Sequence, residues 1–169
     1  TELTVPDDVT TLEDLQHMTY LETLTLNGRS MSNLNDLSEL THLKKLDLTG
    51  CRFSSNSLAT VASLPALQEL NLTDCGLAVT DLTVLGGLPN LVKLDISHNT
   101  VSSLSPIALC SKLTNLNAAN NQISDASAAS SMPILAELLL DHNQLSDISG
   151  LSGCSNLTTL TISNNSISD

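Results

Sequence analysis

Residues 135–165 read LAELLLDHNQLSDISGLSGCSNLTTLTISNN and hold one nine-letter frame, L-x-x-L-x-L-x-x-N, at both ends. Five earlier copies precede these two: LETLTLNGR from Leu21, LKKLDLTGC from Leu43, LQELNLTDC from Leu67, LVKLDISHN from Leu91 and LTNLNAANN from Leu113. Successive frames start 22, 24, 24, 22, 22 and 22 residues apart. A period of this length, repeated seven times, predicts a solenoid of stacked units.

The centre of each frame, x-L-x-L-x, alternates apolar and polar residues and predicts a short strand with one buried face. One such strand cannot bury its leucines alone, but parallel strands stacked about 4.8 Å apart can. The chain must then return on the other side of the leucine layer, through a 3₁₀ or single helical turn in the 22-residue units. The two 24-residue units have room for a short helix, with these residues facing inward: Leu58, Val61 and Leu64, and Leu82, Leu85 and Leu88.

The ninth position of the frame predicts a hydrogen-bonded ladder. Four units carry asparagine there: Asn99, Asn121, Asn143 and Asn165. A carboxamide donates and accepts at once, so it can satisfy the backbone where a buried strand bends into a loop. Cys51 and Cys75 fill this position in two earlier units, and Arg29 in the first, where we expect a wetter or distorted edge.

The two ends of the chain depart from the pattern. Residues 1–20 are predicted to form a degenerate N-terminal half-repeat, in which Val9, Leu12, Leu15 and Met18 fit the back of an eighth unit. Residues 21–169 form seven repeats in a single domain, the last one incomplete. That last unit ends without a polar cap, so we expect a fragment of a longer chain or self-association through the uncapped end.

The frames, and phrases such as NQLSDISGLSGCSNLTTLTISNNSISD, resemble the leucine-rich-repeat superfamily. The 22-residue period is most similar to a short-repeat class that includes a phosphatase-1 regulatory subunit, axonemal dynein light chain and bacterial internalins. The resemblance implies an α/β fold: a right-handed, curved solenoid with a concave parallel sheet and 3₁₀ or short helices on the convex side. It also implies a concave face that binds other proteins.

The composition argues against several partners. Eighteen acidic residues against six basic ones give a net charge of −12. Nucleic acid and anionic membrane surfaces both require clustered lysine and arginine, so neither is an expected partner. No apolar run is long enough to span a bilayer.

Cysteines and histidines do not predict a catalytic or metal site. Cys51 and Cys75 lie in adjacent units, where a disulfide is conceivable, whereas Cys110 and Cys154 are two units apart. We predict free, buried thiols, which favour an intracellular protein. There is no CxxC motif, and stacking separates His98 from His142 by about 10 Å, too far to share a metal ion. We therefore predict no cofactor, no metal and no enzymatic activity.

The outward positions of the strands predict the binding face. Lysine and glutamate alternate along one row beside a row of aspartate and asparagine, and Leu139 is apolar where its neighbours are polar. The candidate partner-binding residues are Lys45, Asp47, Glu69, Asn71, Lys93, Asp95, Asn117, Glu137, Leu139 and Asp141. The alternative is a solvated sheet, with binding at its edges.

These observations predict a non-catalytic cytoplasmic scaffold or adaptor that binds a protein partner carrying basic or amide groups. A cytoskeletal or flagellar role is the finer prediction, by resemblance. The alternatives are an extracellular internalin-like adhesin and a regulatory subunit of a phosphatase.

Overall fold

The computed structural model describes residues 1–6 and 12–168. Within these residues, eight three-residue strands form one sheet in chain order, and every neighbouring pair is parallel. Seven of the strands coincide with the x-L-x cores of the seven frames, an eighth precedes them, and the central leucines pair with one another across the sheet. The strands are β1 Glu2–Thr4, β2 Thr23–Thr25, β3 Lys45–Asp47, β4 Glu69–Asn71, β5 Lys93–Asp95, β6 Asn115–Asn117, β7 Glu137–Leu139 and β8 Thr159–Thr161.

The return segments are short, as the 22-residue spacing predicts. Those outside the 24-residue units are 3₁₀ helices: Glu13–His17, Asn35–Leu37, Ser105–Ile107, Ser127–Ser131 and Ser149–Leu151. The helix predicted in the first 24-residue unit is confirmed as α1, Leu58–Ala62, which follows a 3₁₀ turn at Ser55–Ser57. None of the described helices is long and apolar enough to cross a membrane.

The second 24-residue unit differs from the expected α-helix, because Val79–Gly87 is a 3₁₀ helix. Its buried leucines, Leu82 and Leu85, are three residues apart, which fits the three-residue turn of a 3₁₀ helix. Its β-branched residues and the Gly86–Gly87 pair are also weak α-helix formers.

One layer of apolar side chains forms the core between the sheet and the return segments. The inward leucines of β2 to β7 are at most 2% exposed. Burial of each leucine contributes roughly 1.5–3 kcal/mol, so the repeated layer supplies most of the driving force for folding. Burial decreases in the last unit, where Leu160 is 38% exposed.

The asparagine ladder is confirmed. Asn121 Nδ2 donates to the carbonyl oxygens of Ile96 and Ala118, at 2.9 and 3.2 Å, and its Oδ1 accepts the N–H of Val101 at 2.9 Å. The side chain therefore joins its own coil to the preceding one. In the cysteine-bearing units the thiols take over the donor role: Cys51 Sγ donates to the Leu26 carbonyl and Cys75 Sγ to that of Leu48.

The sequence analysis predicted a wetter or distorted edge at Arg29, but the side chain is buried. It is 8% exposed, and its guanidinium donates to the carbonyl oxygen of Val5 at 2.6 Å and also to that of Pro6. Asparagine at this position in later units donates to the backbone of the preceding coil through a short side chain. Arginine makes the same kind of hydrogen bond through a longer side chain with several donors.

The N-terminal segment carries a strand despite its degenerate sequence, because β1 pairs in register with β2. Leu12 and Leu15 are buried as predicted, whereas Met18 is 43% exposed and Val9 lies outside the described residues. The division into a half-repeat and seven repeats stays a prediction.

Candidate binding face

The outward side chains of β2 to β7 line a shallow groove of about 480 Å³ on the concave face. Parallel in-register pairing produces it, because equivalent positions of successive frames lie side by side. Leu139 and Asp141 lie on β7 and just after it, outside the lining. The eight predicted residues in the groove are Lys45, Asp47, Glu69, Asn71, Lys93, Asp95, Asn117 and Glu137.

The charged row at the third position of the frame is internally paired. The Glu69 carboxylate lies 3.2 Å from the Lys45 ammonium and 3.7 Å from that of Lys93. Exposed ion pairs of this kind contribute up to about 1 kcal/mol and weaken with salt. Replacing these ion pairs by ion pairs with a charged group of a partner protein therefore costs little free energy.

The row at the fifth position also has a structural function that the sequence analysis missed. Asp47, Asn71, Asp95 and Asn117 each accept, through Oδ1, the backbone N–H two residues later, at 2.9–3.1 Å. This is an Asx turn, which holds the chain where the strand ends. The signal was present in the sequence, since three of these residues begin a D/N-x-S/T motif: DLT, NLT and DIS.

Asp95 and Asn117 are further joined to each other, because Asn117 Nδ2 donates to Asp95 Oδ2 at 2.8 Å. Both side chains are half-buried. The side chains at position five thus stabilise the fold through their own hydrogen bonds. A partner would meet carboxylate and carboxamide groups whose orientation is already fixed.

The β7 unit departs from this arrangement, since Leu139 at position five cannot form an Asx turn. Asp141 instead accepts the hydroxyl of Thr161 and, at 2.8 Å, the N–H of Ser163 in the next unit. Donation by the Thr161 hydroxyl and the Ser163 N–H holds the pKa of the Asp141 carboxyl below its ordinary value. Asp141 therefore stays ionised well into acid pH.

The eighth position of all seven frames has a left-handed backbone, with φ between 52° and 70°. Gly28, Gly50, Asp74, His98, Asn120, His142 and Asn164 occupy it, and these are residue types that tolerate that conformation. His98 and His142 lie on the rim as predicted, each within 3.4 Å of an asparagine side chain of the following unit. Among residues 1–6 and 12–168, no cluster of His, Cys, Asp or Glu side chains could hold a metal ion.

A second ladder, also missed from the sequence, runs along the opposite rim just before the strands. His42, Asn90 and Asn156 each hydrogen-bond to a backbone carbonyl of the preceding unit, those of Thr19, Pro65 and Pro133 respectively. Side-chain hydrogen bonds therefore join neighbouring units on both rims of the groove.

The cysteines are free thiols, as predicted. Burial raises the pKa of Cys75 to about 12 and that of Cys110 to about 11. Cys154 is half-buried rather than fully inward-facing. Buried thiols with a raised pKa are poor nucleophiles, so they are chemically inert parts of the coil.

Three family models match the chain. They are described as Leucine rich repeat, over residues 65–123, Leucine Rich repeats (2 copies), over residues 135–169, and Leucine Rich repeat, over residues 39–62. A comparison with curated proteins found no match.

Several solved structures are similar. Internalin C2 from Listeria monocytogenes is 34% identical, with 95% of this chain and 80% of that chain covered and a TM-score of 0.69. A leucine-rich-repeat protein of Leptospira interrogans is 21% identical, with 98% of this chain and 48% of that chain covered and a TM-score of 0.68.

The third is the leucine-rich-repeat ectodomain of the plant membrane receptor kinase GASSHO1/SCHENGEN3 from Arabidopsis thaliana, solved in complex with CASPARIAN STRIP INTEGRITY FACTOR 2. It is 24% identical, covers 90% of this chain and 22% of that chain, and has a TM-score of 0.68. The Leptospira and plant likenesses concern the fold alone.

Proposed function

The chain belongs to the leucine-rich-repeat family, and on that premise we propose that it binds a partner protein along the concave face of its sheet without catalysing a reaction. The predictions of family and fold class are both confirmed. The observation that carries the proposal is the groove, which gathers polar and charged side chains from six successive strands onto one continuous surface.

The charges on this face indicate the chemistry of the partner. The ten candidate residues include two lysines and five carboxylates, and both lysines lie beside Glu69. The face is therefore acidic overall and favours a partner with basic or amide groups. Because it carries no Trp, Tyr or Arg, the residues that dominate most interfaces, we expect modest and salt-sensitive affinity.

The test uses a triple variant that changes the face while keeping its turns: Asp47→Asn, Asp95→Asn and Leu139→Thr. Asn71 and Asn117 already form the same Asx turn, and Thr25 and Thr161 already occupy position five, so the fold should tolerate all three changes. The control makes similar changes on the convex side: Asp36→Asn, Glu39→Gln and Leu109→Ser.

Partners are captured by affinity purification with both variants and with the unchanged protein, and identified by mass spectrometry. We expect the control to retain a partner that the concave variant loses. If the folded concave variant keeps every partner of the unchanged protein, binding through the concave face is wrong.

An extracellular internalin-like adhesin is the second candidate, and it is favoured by the 34% identity to internalin C2. The cytoplasmic assignment rests on the reduced thiols, but the buried Cys51, Cys75 and Cys110 are shielded from oxidants in either compartment and discriminate weakly. The cytoskeletal role and the phosphatase-subunit alternative rest on resemblance alone. Localisation of the full-length protein separates a cytoplasmic scaffold from an adhesin.

A further inference from the structure

The concave face consists of two chemically different halves. On β2 to β5, both lysines are paired with Glu69, and Asp47 and Asp95 are engaged in Asx turns. On β6 to β8, the outward positions three, five and seven carry no lysine or arginine, and Glu137 and Asp141 are their two charged residues. The C-terminal half is thus acidic without an internal counter-charge.

Leu139 is the large apolar residue at the outward positions of this half. Register pairing places it between Asn117 on β6 and Thr161 on β8, so a polar row is interrupted there. Its side chain is half-buried on this face and is not among those packed against the leucine core. The fold does not require a leucine at this position, since Thr25, Asp47, Asn71, Asp95, Asn117 and Thr161 all occupy it in other units.

Two carboxylates flank Leu139 on the same face of the strand. Residues two apart in a strand are separated by roughly 6.6–6.8 Å along it, so Glu137 and Asp141 lie on either side of the leucine. Asp141 is held by Thr161 and Ser163 and stays ionised. Within the described part of the chain, Glu137 makes no ion pair, in contrast to Glu69.

We propose that Leu139, Glu137 and Asp141 form the anchoring site for a segment of the partner protein that presents one apolar side chain flanked by lysines or arginines. This inference rests on the proposed function and places its specificity in the C-terminal half of the sheet. Contact with Leu139 removes apolar surface from water, while the two carboxylates orient the segment by pairing with its basic residues.

The segment binds here rather than over β2 to β5 for a physical reason. A basic group that approaches the Lys45–Glu69–Lys93 row is repelled by two ammonium groups and must compete for one carboxylate. Over β7 it meets two carboxylates and no competing cation. The apolar side chain of the segment would find no apolar residue like Leu139 at the outward positions of β2 to β5.

Synthetic peptides provide the probe: one carries a leucine flanked by lysines, a second the same leucine flanked by glutamates, and a third a serine flanked by lysines. Binding is followed by amide chemical shifts of the isotope-labelled protein. We expect the lysine-flanked leucine peptide to shift the amide signals of residues on β6 to β8. Its affinity should decrease as the salt concentration is raised. The other two peptides should bind much more weakly.

Variants of the same chain separate the contributions. Leu139→Thr should weaken binding of that peptide about tenfold, which corresponds to the loss of roughly 1.4 kcal/mol of apolar contact. Glu137→Thr, which reproduces the Thr23 and Thr159 of other units, should weaken binding and reduce its salt dependence. Leu109→Ser removes a leucine that is 80% exposed on the convex side and should change nothing.

The inference is wrong if the shifts centre on Lys45 and Lys93, if the glutamate-flanked peptide binds equally well, or if Leu139→Thr has no effect. In those cases the concave face still binds a peptide, so the proposed function survives. If no peptide shifts any concave residue, the anchoring site is also wrong, and the comparison of captured partners alone decides the proposed function.

Discussion

At the scale of single residues, the asparagine ladder gives the sharpest expectation. Asn121→Ala removes three donated hydrogen bonds and leaves the Val101 N–H buried without its acceptor. An orphaned buried donor costs about 1–3 kcal/mol, and we expect a loss of that size in the free energy of unfolding, measured by urea denaturation.

The adjacent residue supplies a matched control. Asn120 has φ 56°, in the left-handed region, and Gly28 and Gly50 occupy the same position in other units. Asn120→Gly should therefore leave stability nearly unchanged. Equal losses in the two variants would contradict a specific function for the ladder.

The carboxylates predict how stability depends on pH. Hydrogen bonds donated by Ser127 hold the pKa of Asp125 below its ordinary value, and those from Thr161 and Ser163 do the same for Asp141. Because these pKa values are lower in the folded state, the stabilisation is present above the unfolded pKa of about 3.9 and is lost as pH falls through the folded values.

The free energy of unfolding should therefore be flat near neutral pH and fall on acidification below about pH 4. Asp125→Asn keeps an acceptor for the Ser127 N–H but cannot titrate, so its acid slope should be shallower. An identical slope in this variant would show that the Asp125 carboxylate contributes nothing to the pH dependence.

Thiol reactivity tests the burial of the cysteines. Burial raises the pKa of Cys75 to about 12, so at neutral pH its thiol is protonated and shielded. Treatment of the folded protein with iodoacetamide, followed by mass spectrometry, should modify the half-buried Cys154 first and Cys75 only after unfolding. Modification of Cys75 before Cys154 would contradict the placement of its side chain.

The residues of the binding face could be predicted from the frame, but the hydrogen bonds that they form within the protein could not. The alternation identifies Asp47 and Asp95 as outward-facing, which is correct, yet it does not reveal that their side chains also close the turn after the strand. Arg29 shows the same limit. Its position in the frame is clear, whereas the carbonyl groups it reaches belong to an irregular segment that the repeat does not describe.

At the scale of elements, the close approach of neighbouring coils gives a matched pair of substitutions. A Cβ at Gly86 would lie 2.6 Å from the Pro106 carbonyl oxygen, whereas one at Gly87 would meet nothing within 4 Å. Gly86→Ala must push Val79–Gly87 away from the next coil and should destabilise the protein by about 1–3 kcal/mol. Gly87→Ala should be neutral or slightly stabilising, by up to roughly 1 kcal/mol.

Thermal unfolding followed by circular dichroism measures both variants. A Tm for Gly86→Ala equal to or above that of Gly87→Ala would show that the convex segments are not packed this closely. The comparison bears on fold and not on binding, because both glycines lie on the side away from the sheet.

Element positions followed from the repeat more reliably than element types. Every full frame predicted its strand, because the period-two alternation and the period of 22–24 residues agree with each other. The return segment at Val79–Gly87 was harder, since apolar residues three apart fit both a 3₁₀ and an α-helix. The close contact of Gly86 with the next coil could not be predicted, because it depends on two units and not on the sequence of one.

At the scale of the whole molecule, stacking puts equivalent positions in rows, and the rows form the concave face. That arrangement was predictable because it needs only the period and the burial of leucine. Which part of the face a partner uses was not, because specificity depends on pairings across units, such as the shared Glu69 carboxylate and the Thr161–Asp141 hydrogen bond.

Carboxyl footprinting tests the concave face most directly. The protein, alone and with a captured partner, is labelled at its exposed carboxylates by carbodiimide coupling, and the modified residues are quantified by mass spectrometry. Because the partner protein extends along the concave face beyond the segment anchored over β7, we predict that it protects Asp47, Glu69, Asp95 and Glu137. Glu39 and Asp125, away from the sheet face, should label as before. Protection of Glu39 and Asp125 with unchanged labelling of the concave carboxylates would contradict binding through the concave face.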